Sequence, residues 1–426
     1  MMILPEMAKW AAKKGINILT ASDFTHPLWF REIKSLLTES SEGLYKLKSG
    51  EDKVRFLLST EIASIYKQGD KLRRIHNLLF APNLEIADKI SKELVRRGCN
   101  ISSDGRPIVG LSSRDLLELA LNIDKKIILI PCHAWTPHFG VYGSASGFDS
   151  IAECFEDLSR YVYGIETGIS SDPWMNWQVK ELDNRSILSF SDAHSAPKMG
   201  REATVFSINK QIDTVSYMDI GRAIARPIEN CRIAYTIEFY PEEGKYHFAG
   251  HRTCKISKSP EQIRKDGNIC PVCKRKLTEG VMYRLQQLAG NSEFKVYNSE
   301  LDENGVNWIK DPQKNHPPFV KLVPLNEIIA ESMEATVLSD KVKIKFDEMC
   351  LEFSSEINIL LKTPLSDITS KFGGKIAEGI TKVRKGNIVI EPGFDGEYGK
   401  VRIWREKVPI SGASQNPPET QLGLKF

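Results

Sequence analysis

Carboxylate and imidazole side chains follow short apolar runs at several points in the first half of this 426-residue chain. In the clearest case, Asp192 and His194 come just after the run at residues 187–190. A short apolar run of this kind is typical of a buried strand, and both residue types are metal ligands. The pattern predicts a strand that delivers two ligands at its carboxyl end, where divalent ions could drive hydrolysis.

Other apolar runs are flanked by the same residue types. They present Asp23 and His26 after residues 16–22, Glu61 after residues 56–60, His133 after residues 127–132, Glu166 after residues 162–165, and His76 just before residues 78–80. Taken singly, each histidine is more typical of a structural residue whose hydrogen bonds are satisfied. Taken as a set of strand-end groups, they favour a shared metal site.

The segments between these runs have helical periodicity, for example at residues 84–97 and 113–121. Alternation of helix and strand over such a length is typical of an α/β fold with a mainly parallel sheet. We therefore expect a distorted β/α barrel over residues 1–227, with the candidate metal ligands gathered at one mouth.

Residues 228–290 have few long apolar runs and contain two pairs of metal-ligand residues. The pairs are His251 with Cys254 and Cys270 with Cys273. Two such pairs separated by a polar loop are typical of a structural Zn²⁺ site, and His247 is an alternative to His251 as the fourth ligand. The same segment is rich in lysine and arginine, which could hold a phosphate backbone or form an ordinary solvated surface.

The remainder of the chain divides into a region of helical periodicity and a polar tail. Helical spacing around residues 325–332 predicts a mainly helical C-terminal region over residues 291–410. The flexible tail at residues 411–426 ends in an apolar hexapeptide, which suits docking into a groove on a partner. This hexapeptide resembles the motif by which bacterial proteins bind the replication sliding clamp. Its candidate partner-binding residues are Gln421, Leu422, Leu424 and Phe426.

The overall composition is that of an ordinary globular protein, with 41% hydrophobic and 27% charged residues. The 58 basic and 55 acidic residues give a net charge of only +3, so any nucleic-acid surface must be a local patch. The first apolar run is too short for a signal peptide and no stretch approaches a membrane span, which predicts a cytoplasmic protein without a membrane partner. In that reducing compartment, eight cysteines favour metal binding over disulfides.

Several of these segments resemble the successive motifs of a known superfamily, the polymerase-and-histidinol-phosphatase (PHP) superfamily. The matching segments are residues 22–27, 75–77, 131–137, 166–168 and 191–194. In combination with the two zinc-ligand pairs and the turn at residues 392–399, they resemble endonuclease Q over nearly the whole chain.

The resemblance to endonuclease Q implies a metal-dependent DNA repair endonuclease. Such an enzyme cuts the phosphodiester on the 5′ side of a deaminated base (uracil, hypoxanthine or xanthine) or of an abasic site. The barrel would use Zn²⁺, Mg²⁺ or Mn²⁺, and residues 291–410 would bind damaged DNA. The implied metal ligands are Glu61, His76, His133, Asp192 and His194, with Asp23 and His26 at the same mouth, and the implied catalytic residues are Asp192, His194 and Glu61.

One departure from the family pattern concerns the first motif. Members of the family open with a strand that carries His-x-His, whereas the first histidine of this chain is His26. Loss of that strand would remove two ligands and expose the edges of its neighbours. We expect that the start codon has been placed too late, because all of the later ligands are present. The alternatives are a truncated, inactive form that binds DNA damage, and a small-molecule phosphoesterase on the same barrel.

Overall fold

The computed structural model describes residues 2–50, 53–103, 106–290 and 294–405. The hexapeptide at residues 421–426, with its predicted clamp-binding side chains, lies outside these ranges. The α-helices of the described residues are α1 (Leu4–Lys14), α2 (Pro27–Leu36), α3 (Leu84–Arg96), α4 (Ser113–Ile123), α5 (Ile151–Phe155), α6 (Pro173–Asn176), α7 (Tyr217–Ala225), α8 (Pro260–Asp266), α9 (Val281–Leu288), α10 (Leu325–Ser332), α11 (Asp340–Phe353), α12 (Glu356–Leu361), α13 (Leu365–Phe372) and α14 (Gly374–Lys385). None of these helices is both long and apolar enough to cross a membrane.

The strands fall into two larger sheets and three two-stranded pairs in this part of the chain. They are β1 (Ile18–Ala21), β2 (Leu37–Ser41), β3 (Leu44–Leu47), β4 (Arg55–Gln68), β5 (Lys71–Ala81), β6 (Ile108–Val109), β7 (Ile128–Pro131), β8 (Gly164–Glu166), β9 (Ser186–Leu188), β10 (Ala203–Ile208), β11 (Cys231–Glu238), β12 (Ala249–His251), β13 (Ile256–Lys258), β14 (Asn298–Leu301), β15 (Asn307–Lys310), β16 (Phe319–Lys321), β17 (Val389–Glu391) and β18 (Lys400–Arg402).

A seven-stranded sheet forms the wall of the barrel, in the order β2-β3-β4-β5-β7, with β1 and β6 also paired to β4. The long strands β4 and β5 are antiparallel, and only Gly69 and Asp70 lie between them. A turn of two residues can join only antiparallel neighbours, and Gly69 takes the positive φ of 60° that such a turn favours. Strand β7 then pairs antiparallel to β5.

The expectation of a mainly parallel barrel was therefore wrong for its central strands. Parallel pairing is confined to β1 with β4, β4 with β6, β8 with β9, and β11 with β16 in the described residues. The predicted fold class is confirmed: the protein is α/β, with a distorted barrel, a small Cys/His module and a mainly helical C-terminal region.

A second sheet has the order β10-β11-β16-β15-β14. Its strands come from both sides of residues 227 and 290, where the sequence predicts domain boundaries, and that division stays a prediction. The small Cys/His module lies between β11 and β14 in the chain and contains the β12-β13 pair and α8.

Helix α1 connects the barrel to the C-terminal helices. Its face with Leu4, Met7 and Ala11 is buried in the barrel core. Near its other end, Lys14 forms an ion pair of 2.5 Å with Glu356 of α12, and both side chains are almost fully buried. A buried pair of this kind is costly to break, since the remaining charge would lack a partner. The ion pair therefore fixes where the helical region lies against the barrel.

Arg384 of α14 is buried among the C-terminal helices, where its guanidinium donates to backbone carbonyls. Its guanidinium donates to the carbonyl oxygens of Leu360 at 2.9 Å, Ile359 at 2.8 Å and Thr363 at 2.6 Å. These carbonyls lie at the end of α12, where no further helical turn supplies N–H groups to donate to them. Arg384 therefore serves as the cap of a neighbouring helix.

We predict that Arg384→Met lowers the free energy of unfolding by about 3 kcal/mol, because several buried carbonyls lose their donor while the aliphatic volume is kept. Urea denaturation followed by circular dichroism measures the change. Lys385→Met is the matched control, since Lys385 is exposed on the same turn, and it should change stability by less than about 0.5 kcal/mol. Equal destabilisation by the two variants would contradict the capping role.

Candidate active site

Three of the predicted metal ligands converge at the barrel mouth. Glu61 lies within β4, His76 within β5, and His133 two residues after β7, so the antiparallel sheet brings them side by side. His76 Nδ1 is 2.8 Å from Glu61 Oε1 and 3.0 Å from His133 Nε2, and His133 Nε2 is 3.4 Å from Glu61 Oε1. We call these three residues the Glu61 cluster.

The chemistry of the Glu61 cluster fits a metal ion. A carboxylate oxygen can only accept, and an imidazole nitrogen either carries a proton or offers a lone pair. For every choice of tautomers, at least one of the three contacts opposes two donors or two acceptors. A divalent cation that faces all three lone pairs removes this conflict, and two imidazoles with a carboxylate suit Zn²⁺ or Mn²⁺.

Burial and mutual charge set the protonation of the cluster. Burial alone would raise the pKa of Glu61, but hydrogen bonds with His133 and His76 outweigh it and hold that pKa well below its usual range. Burial lowers the pKa of His76. For His133, burial also acts to lower the pKa, but the Glu61 hydrogen bond and the charges of Glu61, Glu166 and Asp192 raise it overall. Glu61 is therefore a carboxylate ready to bind a cation.

Asp23 and His26 lie beside the cluster and outside it. Asp23 is close enough to Glu61 that burial, together with the Glu61 charge, raises the pKa of Asp23. The His26 side chain caps α2, where its Nδ1 accepts a long hydrogen bond of 3.5 Å from the Trp29 N–H. With Nδ1 occupied in this way, only Nε2 of His26 is available to a metal ion.

Asp192 and His194 lie at the outer rim of the mouth. Strand β9 ends at Leu188, so residues 189–194 are not the continuous strand end that the sequence predicts. The His194 Nε2 is 3.7 Å from the Asp192 Oδ1, and these side chains are 79% and 50% exposed. Their ligand atoms are not part of the Glu61 cluster, although the Asp192 charge reaches His133. Their roles as metal ligands stay a prediction.

Backbone conformation marks three of the candidate residues independently of their side chains. Asp23, His133 and Asp192 have φ angles of 58°, 30° and 41°. Positive φ is uncommon outside glycine, and such residues cluster where the structure must aim a functional group. Each of the three follows a barrel strand within four residues, in the loops that form the mouth.

Glu166 holds the loops of the mouth together. Its buried carboxylate accepts from the backbone N–H of His133, from that of Gly168 at 2.9 Å, and from that of Phe190 at 3.3 Å. Burial raises the pKa of Glu166 to about 7. The sequence singles out Glu166 only as a strand-end acid, whereas the structure makes it the positioning residue for the loops after β7, β8 and β9.

Sequence reasoning missed Arg106. Its Nη1 is 2.6 Å from Glu61 Oε1 and 2.6 Å from His76 Nδ1, so a guanidinium lies against the Glu61 cluster. Arg106 stands in the loop between α3 and β6, where a basic residue followed by proline is typical of a solvated turn. No sequence signal distinguishes it from other loop arginines.

The four predicted zinc ligands also come together. The ligand atoms of His251, Cys254, Cys270 and Cys273 all lie within 4.8 Å of one another. Three cysteines and one histidine are a donor set typical of structural zinc. His247, the alternative fourth ligand, is not in this group. All eight cysteines are unpaired.

The family model of the MJ0043 C-terminal domain matches residues 324–387. The uncharacterised protein MJ0043 of Methanocaldococcus jannaschii is 30% identical over 279 residues, which are 65% of this chain and 32% of that protein, so the chain spans about a third of its length. The uncharacterised protein YqxK of Bacillus subtilis is 26% identical over 399 residues, which are 91% of this chain and 89% of that protein.

Two solved structures are similar over nearly the whole chain. One is the lesion-specific endonuclease PfuEndoQ from Pyrococcus furiosus, with a TM-score of 0.78 and 28% identity over 96% of this chain and 93% of that chain. The other is endonuclease Q in complex with a 27-mer duplex substrate that has an abasic lesion at the active site, with a TM-score of 0.77, 28% identity, and 96% and 94% coverage. The resemblance to endonuclease Q that the sequence motifs carry is therefore confirmed by the fold, and membership of the PHP superfamily is consistent with it.

Proposed function

We propose that this protein is a metal-dependent DNA repair endonuclease that hydrolyses the phosphodiester on the 5′ side of a damaged nucleotide. Its substrates would be duplexes with uracil, hypoxanthine, xanthine or an abasic site. The observation that carries the proposal is the Glu61 cluster, a group of ligand atoms close enough to hold a cation, set in a fold similar to that of a lesion-specific endonuclease.

Each group at the mouth has a distinct task in this proposal. Divalent ions held by Glu61, His76 and His133 would supply a Lewis acid for the phosphate and a nucleophile near neutral pH. Glu166 keeps the His133 backbone in place through its N–H. Asp192 and His194 are exposed at the rim, so they meet a phosphate that enters from solvent and complete the site around it.

Damaged DNA is the proposed partner because a defective nucleotide is easier to extrude from the duplex than a paired one. The lysines and arginines of the Cys/His module, together with the helical region at residues 291–410, would hold the phosphate backbone on either side of the lesion. This arrangement gives the module and the helices a use that a small-molecule phosphoesterase would not need.

We predict that the protein nicks uracil-containing and abasic duplexes, and leaves undamaged duplexes intact, only when Mn²⁺ or Mg²⁺ is present. Denaturing gel electrophoresis of end-labelled strands reads both the extent and the 5′ position of the cut. Turnover of a phosphomonoester without cutting of any duplex would indicate a small-molecule phosphoesterase. Binding of lesion duplexes without cutting would indicate a damage-binding protein.

We predict that Glu61→Gln lowers the cleavage rate more than about 100-fold while DNA affinity stays within about threefold, because the neutral amide no longer attracts the cation. Asp192→Asn should behave in the same way if Asp192 contacts the ions. The matched control is Asp88→Asn on the exposed side of α3, which should cut at the wild-type rate. A wild-type rate for Glu61→Gln would remove the cluster from the mechanism.

We also propose that His251, Cys254, Cys270 and Cys273 bind one structural zinc ion. Cys270→Ser together with Cys273→Ser should then remove one zinc per chain and lower the melting temperature, since the small module has little core of its own. Inductively coupled plasma mass spectrometry and differential scanning calorimetry measure the two effects. Cys99→Ser is the control, and a double variant with an unchanged zinc content would contradict the assignment.

The apolar hexapeptide at the carboxyl end of the chain is proposed to bind the replication sliding clamp. Replacing Leu424 and Phe426 by alanine should weaken clamp binding at least about tenfold, because these anchors would fill an apolar groove. Surface plasmon resonance with immobilised clamp measures the affinity, and Lys425→Ala is the control. Equal affinity of the double variant and the wild type would exclude this role.

A further inference from the structure

Arg106 is the one cationic side chain that hydrogen bonds to the Glu61 cluster within the described residues. Its Nη1 makes both contacts of 2.6 Å, to Glu61 Oε1 and to His76 Nδ1. About a third of the Arg106 side chain remains exposed (30%), so the guanidinium lies between the cluster and solvent. Its position is that of a group which a ligand entering the mouth would meet.

Arg106 and a metal ion need the same atoms. An arginine side chain keeps its protons in proteins, so Nη1 can only donate, and it does so to the lone pairs of Glu61 Oε1 and His76 Nδ1. A divalent cation on the cluster would take those lone pairs and repel the guanidinium. His76 Nδ1 has a single lone pair and cannot serve both, so the arginine must give up that contact when the ion binds there.

The displaced guanidinium would remain at the mouth, because Arg106 is anchored between α3 and β6. Its planar fork presents five N–H donors and matches the oxygens of a phosphate in a bidentate manner. The metal-loaded mouth is where the proposed substrate brings its phosphate. The same side chain would thus bond to a carboxylate when no ion is bound and to a phosphate when one is.

We propose that Arg106 is a phosphate-binding residue that occupies the Glu61 cluster until a metal ion takes its place, and that then binds a non-bridging oxygen of the scissile phosphate. This inference rests on the proposed endonuclease function. It assigns Arg106 two opposing effects, since the side chain competes with the ion for the cluster and assists the phosphate once the ion is bound.

Arg106→Gln tests both effects. We expect the variant to bind Mn²⁺ about tenfold more tightly, because one charge-assisted competitor has been removed. We expect its kcat on a lesion duplex to fall by about 100-fold, with a smaller change in KM. The reason is that the negatively charged phosphate of the transition state loses a hydrogen-bond donor. Isothermal titration calorimetry with Mn²⁺ alone measures the first quantity, and the Cys/His module does not interfere, since thiolates disfavour Mn²⁺.

Two further variants separate this role from a structural one. Arg106→Lys keeps the charge without the fork, so it should retain wild-type Mn²⁺ affinity and recover part of the lost kcat. Arg97→Gln removes an arginine that pairs with Glu93 on the surface of α3, and it should leave both quantities unchanged. A merely structural arginine would not move metal affinity and turnover in opposite directions.

These experiments separate failure of the proposed role of Arg106 from failure of the proposed endonuclease function. If wild type cuts lesion duplexes and Arg106→Gln cuts equally fast, the phosphate-binding role is overturned. If Arg106→Gln binds Mn²⁺ no more tightly than wild type, the competition is overturned, whether or not any duplex is cut. If wild type cuts no lesion duplex under metal-loaded conditions, the endonuclease function itself fails, and the phosphate-binding role fails with it.

Discussion

The barrel mouth depends on an electrostatic conflict among three polar atoms. Glu61 Oε1, His76 Nδ1 and His133 Nε2 lie between 2.8 and 3.4 Å apart, closer than any arrangement of protons can satisfy. Such a group persists only where the surrounding structure enforces it. Here the antiparallel ladder of β4, β5 and β7 does so, because two of the three side chains stand on strands whose backbone hydrogen bonds fix their positions.

The loops around these strands add a second layer of constraint. A single carboxylate, that of Glu166, accepts from backbone N–H groups that follow β7, β8 and β9. Because one acceptor serves three loops, a shift of any loop would disturb the other two. The mouth is thus organised by the protein itself, and a cation bound here would complete a geometry that the backbone already holds.

The sequence indicates which candidate ligands lie close together better than it indicates the strand pairing that positions them. The pairs His251 with Cys254 and Cys270 with Cys273 have a spacing that fixes their chemistry locally, and the structure brings all four together. The antiparallel pairing of β4 with β5 was missed, because it depends on the two-residue turn between them and not on the hydropathy of either strand. Arg106 was missed for a different reason, since its contact with Glu61 joins residues far apart in the chain and leaves no local pattern.

The backbone at Asp23 and Asp192 limits which residues these positions can hold. Positive φ is tolerated by aspartate, asparagine and glycine, and it is costly for branched or bulky side chains. A homologue without the proposed activity would therefore still tend to keep a short polar residue at both positions, because the positive φ requires it. Glu61 and His76 stand in ordinary strand geometry, which would accept valine or threonine, so their retention in a lineage would be the sharper sign that selection for catalysis persists.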